Sequence, residues 1–176
     1  MIEKAVRIAA YVAVAAVCLV RVRSYVTSDH AGARTSPQAM AAKFVGTRVG
    51  VDQTSGSAPS DVTLVVAMTT SCVYCKASAP FYRRLLENVA PDIPRAVQTV
   101  AVMPEGKDRA ADYLRDSLLL RFSSVVQDMP GLRVSATPTL LVVDREGIVR
   151  GAWVGMLDSS AEDEVVATLR NVAGKS

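Results

Sequence analysis

Apolar positions fall along this chain in blocks of differing length and period. The first block, Ile8 to Val20, is unbroken apolar sequence, with Lys4 and Arg7 before it and Arg21 and Arg23 after it. The next, Thr63 to Met68, is short and continuous, as expected of a strand covered on both faces. From about Cys75 to Asn88 the period lengthens. Phe81, Leu85 and Val89 recur at four-residue spacing with Leu86 beside them, which predicts a helix. Pro80 lies inside it and is expected to kink it by removing an internal hydrogen bond, while Pro91 and Pro94 end it. Arg95 to Met103 alternates and then turns apolar, predicting a second strand. Asp108 is placed to cap a helix running to about Leu119, with Ala111, Leu114 and Leu118 on one face. Phe122 to Gln127 reads as a short third strand or an extended link.

The C-terminal part is patterned more sharply. Pro138 opens an apolar strand, Thr139 to Val143, and Asp144-Arg145-Glu146-Gly147 forms a hairpin turn in which Gly147 can take positive φ. Ile148 to Val154 returns as its antiparallel partner. Ser159 with Glu162 reads as a capping box for a last helix, with Val165, Leu169 and Val172 buried and Gly174 as its stop. Upstream, Phe44 to Val49 forms a leading strand or hairpin arm, and Asp52 to Ser60 is turn-like. This order of strands and helices predicts an α/β domain, residues 44–176, with a mixed central sheet and helices on both faces.

Composition changes the picture mainly at the N-terminus. Of 176 residues, 50% are hydrophobic, and much of the excess lies in the first block. A spanning helix needs about 20 apolar residues, and Lys4, Arg7, Arg21 and Arg23 can extend the run by snorkelling. Arginines directly after the core disfavour signal cleavage, so residues 1–23 read as a single retained transmembrane anchor rather than a cleaved signal. Cys18 and the stretch 24–43 then read as an apolar membrane residue and a flexible linker, with His30 solvated in it. Export of the domain to the far side of the membrane follows in either case. The 20 basic and 17 acidic residues are too evenly balanced, and too scattered, to suggest nucleic-acid binding.

The candidate chemistry is concentrated in Ser71-Cys72-Val73-Tyr74-Cys75-Lys76, between the first strand and the helix after it. Two cysteines at this spacing can open and close as a disulfide. The unpaired N–H groups and positive dipole at a helix start favour a thiolate, so Cys72 is expected to have a lowered pKa. A zinc site would need two more ligands, and only Cys18 and His30 remain, both far upstream. A disulfide closing so short a loop stabilises weakly, which leaves redox exchange as the better use of the pair.

From about Phe44 onward the chain resembles the thioredoxin-like superfamily, and within it the membrane-anchored, exported branch that includes the TlpA-like proteins. The matching residues are Cys72-x-x-Cys75-Lys76, Pro80, Thr137-Pro138 with the following Thr139-Leu140-Leu141-Val142-Val143-Asp144-x-x-Gly147, and Gly155. The resemblance implies a thioredoxin-like fold, with Cys72 the attacking and Cys75 the resolving cysteine. It implies that Pro138 is cis, with the Thr137 backbone beside the sulfurs to pair with substrate. Two positions depart from the family pattern. Ser71 stands where many relatives have Trp, and Val66 where thioredoxins proper have a buried Asp that helps move protons.

The expected function is thiol–disulfide exchange on exported proteins, as a reductase, without a cofactor or a metal. Expected partners are protein thiols and disulfides, cytochrome-maturation clients among them, and a membrane electron donor; the domain is expected to act as a monomer in the periplasmic space. Three alternatives are a thiol peroxidase, a copper-handling module and a redox-inert binding domain. Thr69-x-x-Cys72 matches part of the peroxiredoxin motif, but Val65 stands where that motif has Pro, and the globular part lacks the histidine that copper modules add.

Overall fold

The structure, a computed structural model, describes residues 36–50, 60–93 and 97–175. The expected anchor (1–23), most of the expected linker, and nearly all of the turn-like stretch 52–60 lie outside the described residues. Among the described residues, no helix is long and apolar enough to cross a membrane. Residues 37–42, read from composition as linker, instead form a short helix, α1 (Pro37–Ala42), which packs on the last strand and buries Ala41.

Five strands make one mixed sheet: β1 (Val62–Ala67), β2 (Val97–Val102), β3 (Ser124–Val126), β4 (Thr139–Asp144) and β5 (Val149–Val154), in the order β3-β2-β1-β4-β5. β1, β2 and β3 run parallel, while β4 pairs antiparallel with both β1 and β5. Every residue of β1 and β4 is buried, as their continuous apolar runs require of central strands.

The helices are α2 (Val73–Arg84), α3 (Lys107–Asp112) and α4 (Ser159–Lys175). All three pack on one face of the sheet. Cys75, Phe81, Leu114, Leu118, Val165 and Leu169 share a core with Leu64, Val66 and Leu140. The opposite face, with Val65, Val100, Leu141 and Val149, is closed by irregular chain carrying Val49, Met129 and Leu132. For these three helices this corrects the expectation of helices on both faces. The connections β1-α2-β2 and β2-α3-β3 step in the same direction across the sheet. Right-handed crossovers in one direction place their helices on the same side.

Local differences from the sequence reading have identifiable causes. Both internal helices end in a π-helical turn, Leu85–Val89 after α2 and Tyr113–Leu118 after α3, the first closed by the Ala90 N–H on the Leu85 carbonyl at 2.9 Å. Asp108 lies in the first turn of α3; the N-cap is Gly106, with no side-chain cap bond. The face of α3 and its π-helical turn is Ala110, Leu114 and Leu118 rather than one beginning at Ala111, since only Ala110 keeps the four-residue step onto the core. Asp158, not Ser159, caps α4, accepting the Ala161 N–H at 2.9 Å, and Glu162 turns instead to Arg84 of α2. Gly174 lies inside α4, where burial of the adjacent Ala173 carries the helix on to Lys175.

The β4–β5 hairpin is held by one buried carboxylate. Asp144 Oδ1 accepts the Ile148 N–H at 2.8 Å and the Glu146 N–H at 3.1 Å, and Oδ2 faces the Arg150 guanidinium. Gly147 closes the turn at φ +79°. At Gly151 a Cβ would come within 2.5 Å of the Trp153 ring, so the indole lies over the strand only because no side chain is there. Replacing Asp144 with Ala strands two turn amides, and is expected to lower unfolding stability by about 2–3 kcal/mol, with Asp144→Asn costing roughly half that. Urea unfolding of the two variants measures this; a loss within about 0.5 kcal/mol for the alanine variant would mean the turn holds without its carboxylate.

Candidate active site: a disulfide at a helix start

β1 ends in the core at Ala67, and Met68 still donates to the Val102 carbonyl at 2.9 Å. The chain then turns sharply. The Cys72 N–H donates to the Thr69 carbonyl at 3.2 Å, leaving Thr70 and Ser71 in the middle of the turn. Cys72 is the N-cap of α2, with extended backbone (φ −81°, ψ 107°), and its Sγ accepts the Cys75 N–H at 3.0 Å. A sulfur here takes the role that a Ser or Asp oxygen plays at other helix starts, satisfying one of the free N–H groups of the first turn.

Cys72 and Cys75 are joined as a disulfide, with Cα atoms 5.2 Å apart. Their exposure is unequal. Cys75 is fully buried on the core side of α2, whereas Cys72 is half-buried at the surface. The two residues between them point outward: Val73 is 72% exposed and Tyr74 58%. An approaching group therefore meets the Cys72 sulfur first.

Thr137 and Pro138, far away in sequence, come to the same place. The Thr137–Pro138 peptide is cis, and the Thr137 carbonyl oxygen lies 3.4 Å from Cys72 Sγ. The loop is pinned on both sides. The Pro138 carbonyl accepts the Gly155 N–H at 2.8 Å, and Thr139 Oγ1 donates to the Ala136 carbonyl at 2.7 Å. All four candidate site residues thus sit around one sulfur pair. Ser71 is exposed beside Cys72 and leaves that rim open, while Val66 is buried in β1 and carries no proton-transfer group.

A groove starts at Tyr74 and runs past Met156 and Trp153 to Ala41 and Val45. Met156 is 59% exposed, so this groove turns apolar surface to solvent, alongside Gln38, Asp158 and Glu164. Among the described residues, no group of three or more His, Cys, Asp or Glu side chains is placed to hold a metal ion.

One site residue escaped the sequence reading. Glu105, just past the end of β2, takes two hydrogen bonds on a single oxygen. The Thr70 N–H reaches Oε1 at 2.7 Å and Thr70 Oγ1 reaches it at 2.9 Å. Burial pushes this carboxyl up, but the Thr70 amide, its own backbone amide, the Thr70 hydroxyl and the Arg109 charge together hold it below the ordinary value of 4.5. The only trace of it in the sequence is an acidic residue following the second strand at Pro104-Glu105-Gly106, a common loop composition.

No protein-family model matches the chain, and no curated protein matches it. Solved structures do. A protein assigned as the thiol:disulfide interchange protein DsbE of Chlorobium tepidum superposes with a TM-score of 0.52 at 19% identity, over 66% of this chain and 82% of that one. A secreted thiol-disulfide isomerase of Corynebacterium glutamicum gives 0.52 at 16% identity, over 65% and 71%. A protein assigned as a thioredoxin of Neisseria meningitidis gives 0.50 at 19%, over 64% and 77%. At these identities it is the fold that is shared, a mixed sheet packed with helices, so this chain has the thioredoxin-like fold.

Proposed function

We propose that the protein is a thiol–disulfide oxidoreductase that uses Cys72 and Cys75 to exchange electrons with the disulfides of exported proteins, working as a reductase. The observation that carries this reading is the position of Cys72 Sγ, half-exposed at the N-terminus of α2, with the Cys75 N–H on one side and the Thr137 carbonyl on the other. The N–H and the helix dipole favour a negative sulfur, and a low-pKa thiolate is both a nucleophile and a good leaving group. The names of the three similar structures, two of them disulfide-exchange proteins, lend support of the same kind.

In the reductive direction both cysteines begin as thiols. The Cys72 thiolate attacks one sulfur of the client disulfide; a Cys72–client bond forms and the other client sulfur leaves as a thiolate. Cys75, buried behind Cys72, then loses its proton and attacks Cys72 Sγ. The Cys72–Cys75 disulfide forms and the second client sulfur leaves. Two electrons pass to the client, and the protein ends in the disulfide form. The Thr137 carbonyl and Pro138 line the approach, where an extended client segment pairs with the backbone, and the apolar groove from Tyr74 takes neighbouring client side chains.

A membrane electron donor returns the pair to the dithiol. The apolar run Ile8–Val20 supports a single-pass anchor with the domain held outside the cytoplasm. Clients of cytochrome maturation, through their haem-ligating cysteines, are the substrate class that the resemblance to the anchored branch supports, and the protein acts on them as a monomer.

Cys75→Ser should leave the first step intact and block the second, trapping clients as mixed disulfides visible on non-reducing gels of exported material; Cys72→Ser should trap none. Absence of adducts with Cys75→Ser in an export-competent cell would overturn exchange as the role. The reduction potential of the couple, measured against glutathione, is expected near or below about −250 mV. A value near about −120 mV would reverse the direction and make the protein an oxidant.

A further inference from the structure

Glu105 and Thr70 lie just beyond the C-terminal ends of the neighbouring parallel strands β2 and β1, where Ala67 pairs with Val102. Crevices at this edge of parallel sheets are where ligands and catalytic groups collect. Thr70 sits in the middle of the turn whose closing hydrogen bond is the Cys72 N–H on the Thr69 carbonyl. A mid-turn amide has no partner within the turn, and Thr70 directs both this amide and its hydroxyl onto Glu105 Oε1. Both are charge-assisted bonds, the stronger kind. The other oxygen, Oε2, is buried and accepts no hydrogen bond from the protein.

We infer that Glu105 is a positioning residue of the disulfide site: its carboxylate clasps the Thr69–Cys72 turn through Thr70, and so sets the pose in which Cys72 Sγ meets the Cys75 N–H. The chain from Thr70 to the Cys72 sulfur is two residues long and already constrained at its far end by α2. With the clasp in place, the sulfur faces the N–H at 3.0 Å. Without it, the turn is free to rotate about Thr70 and Ser71, and the thiolate loses its nearest donor. The carboxylate stays ionised across the neutral range, because its hydrogen bonds and Arg109 hold its pKa below the ordinary value. The clasp therefore persists wherever Cys72 reacts. This inference rests on the exchange reading of the same site.

The test compares full-length Glu105→Gln and Glu105→Ala proteins in the reduced state. Both lack the charge, but only the glutamine retains an acceptor for Thr70. The rate at which iodoacetamide alkylates Cys72 is followed against pH on the Cys72 peptide by mass spectrometry. The thiolate displaces iodide, so the midpoint of the profile is the Cys72 pKa. The alanine variant is expected to have its midpoint about one pH unit above that of the glutamine variant, the size of losing a charge-stabilising hydrogen bond at the thiolate. Any shift common to both variants is the through-space effect of the charge. Equal midpoints in the two would overturn the positioning role. Should the alanine variant fail to fold, Thr70→Val, which removes one of the two donors, is expected to raise the midpoint about half a unit above that of the unsubstituted protein; no rise would overturn the inference. The unsubstituted protein is assayed alongside for exchange with glutathione disulfide. If it exchanges while the alanine and glutamine midpoints coincide, the positioning role alone fails; if it is inert, the functional reading fails and the inference with it.

Discussion

The contact between the Cys75 N–H and the Cys72 sulfur, at the first turn of α2, is the point on which the rest of the molecule converges. A helix start has free N–H groups that need an acceptor, and here the acceptor is the outer sulfur of the disulfide. The sulfur is therefore not simply displayed by the fold; it completes the helix. The strands behind it keep this turn in place. Val62, Leu64 and Val66 of β1 are buried among the helices, while Val65 and Ala67 are buried on the opposite face, so the strand leading into Cys72 cannot slide.

The second constraint is the meeting of two loops. Cys72 comes at the end of the loop after β1, and Thr137 comes from the loop before β4. They touch because β1 and β4 are neighbours in the sheet and run antiparallel, so the end of one lies beside the start of the other. In the register, Ala67 pairs with Thr139. The hairpin behind β4, held by Asp144, and the Gly155 N–H on the Pro138 carbonyl fix that second loop from its far side. The Thr137 loop is thus pinned on its far side, while the flank where Tyr74, Met156 and the groove toward α1 lie is open.

A third element, the Glu105–Thr70 clasp, comes from the parallel neighbour on the other side of β1. Three strand ends, those of β1, β2 and β4, therefore supply the turn, its brace and the facing carbonyl. With Val66, the face of β1 turned toward α2 carries only Val62, Leu64 and Val66, all apolar. The polar groups nearest the disulfide thus lie in the loop layer at the strand ends, not in the strand beneath it.

The elements were legible from the amino-acid order wherever one physical signal dominated. Continuous apolar runs marked β1 and β4, the four-residue period of Phe81 and Leu85 marked α2, and Asp144 to Gly147 marked the hairpin. The cysteine pair was legible for the same reason, since its chemistry is local to a few neighbouring residues. Caps and ends at Asp108, Ser159 and Gly174 differ from what the local sequence indicates, because several residues offer nearly equal local solutions and packing selects among them. The distribution of helices over the faces depended on strand order, which no local pattern encodes. Glu105 was invisible for a related reason: its partner Thr70 lies on a different loop, and only the parallel pairing of β1 with β2 brings the two together. The chain by itself determined which groups can react; the packed sheet decided what each of them faces, because contacts between loops depend on register and strand order rather than on neighbours in sequence.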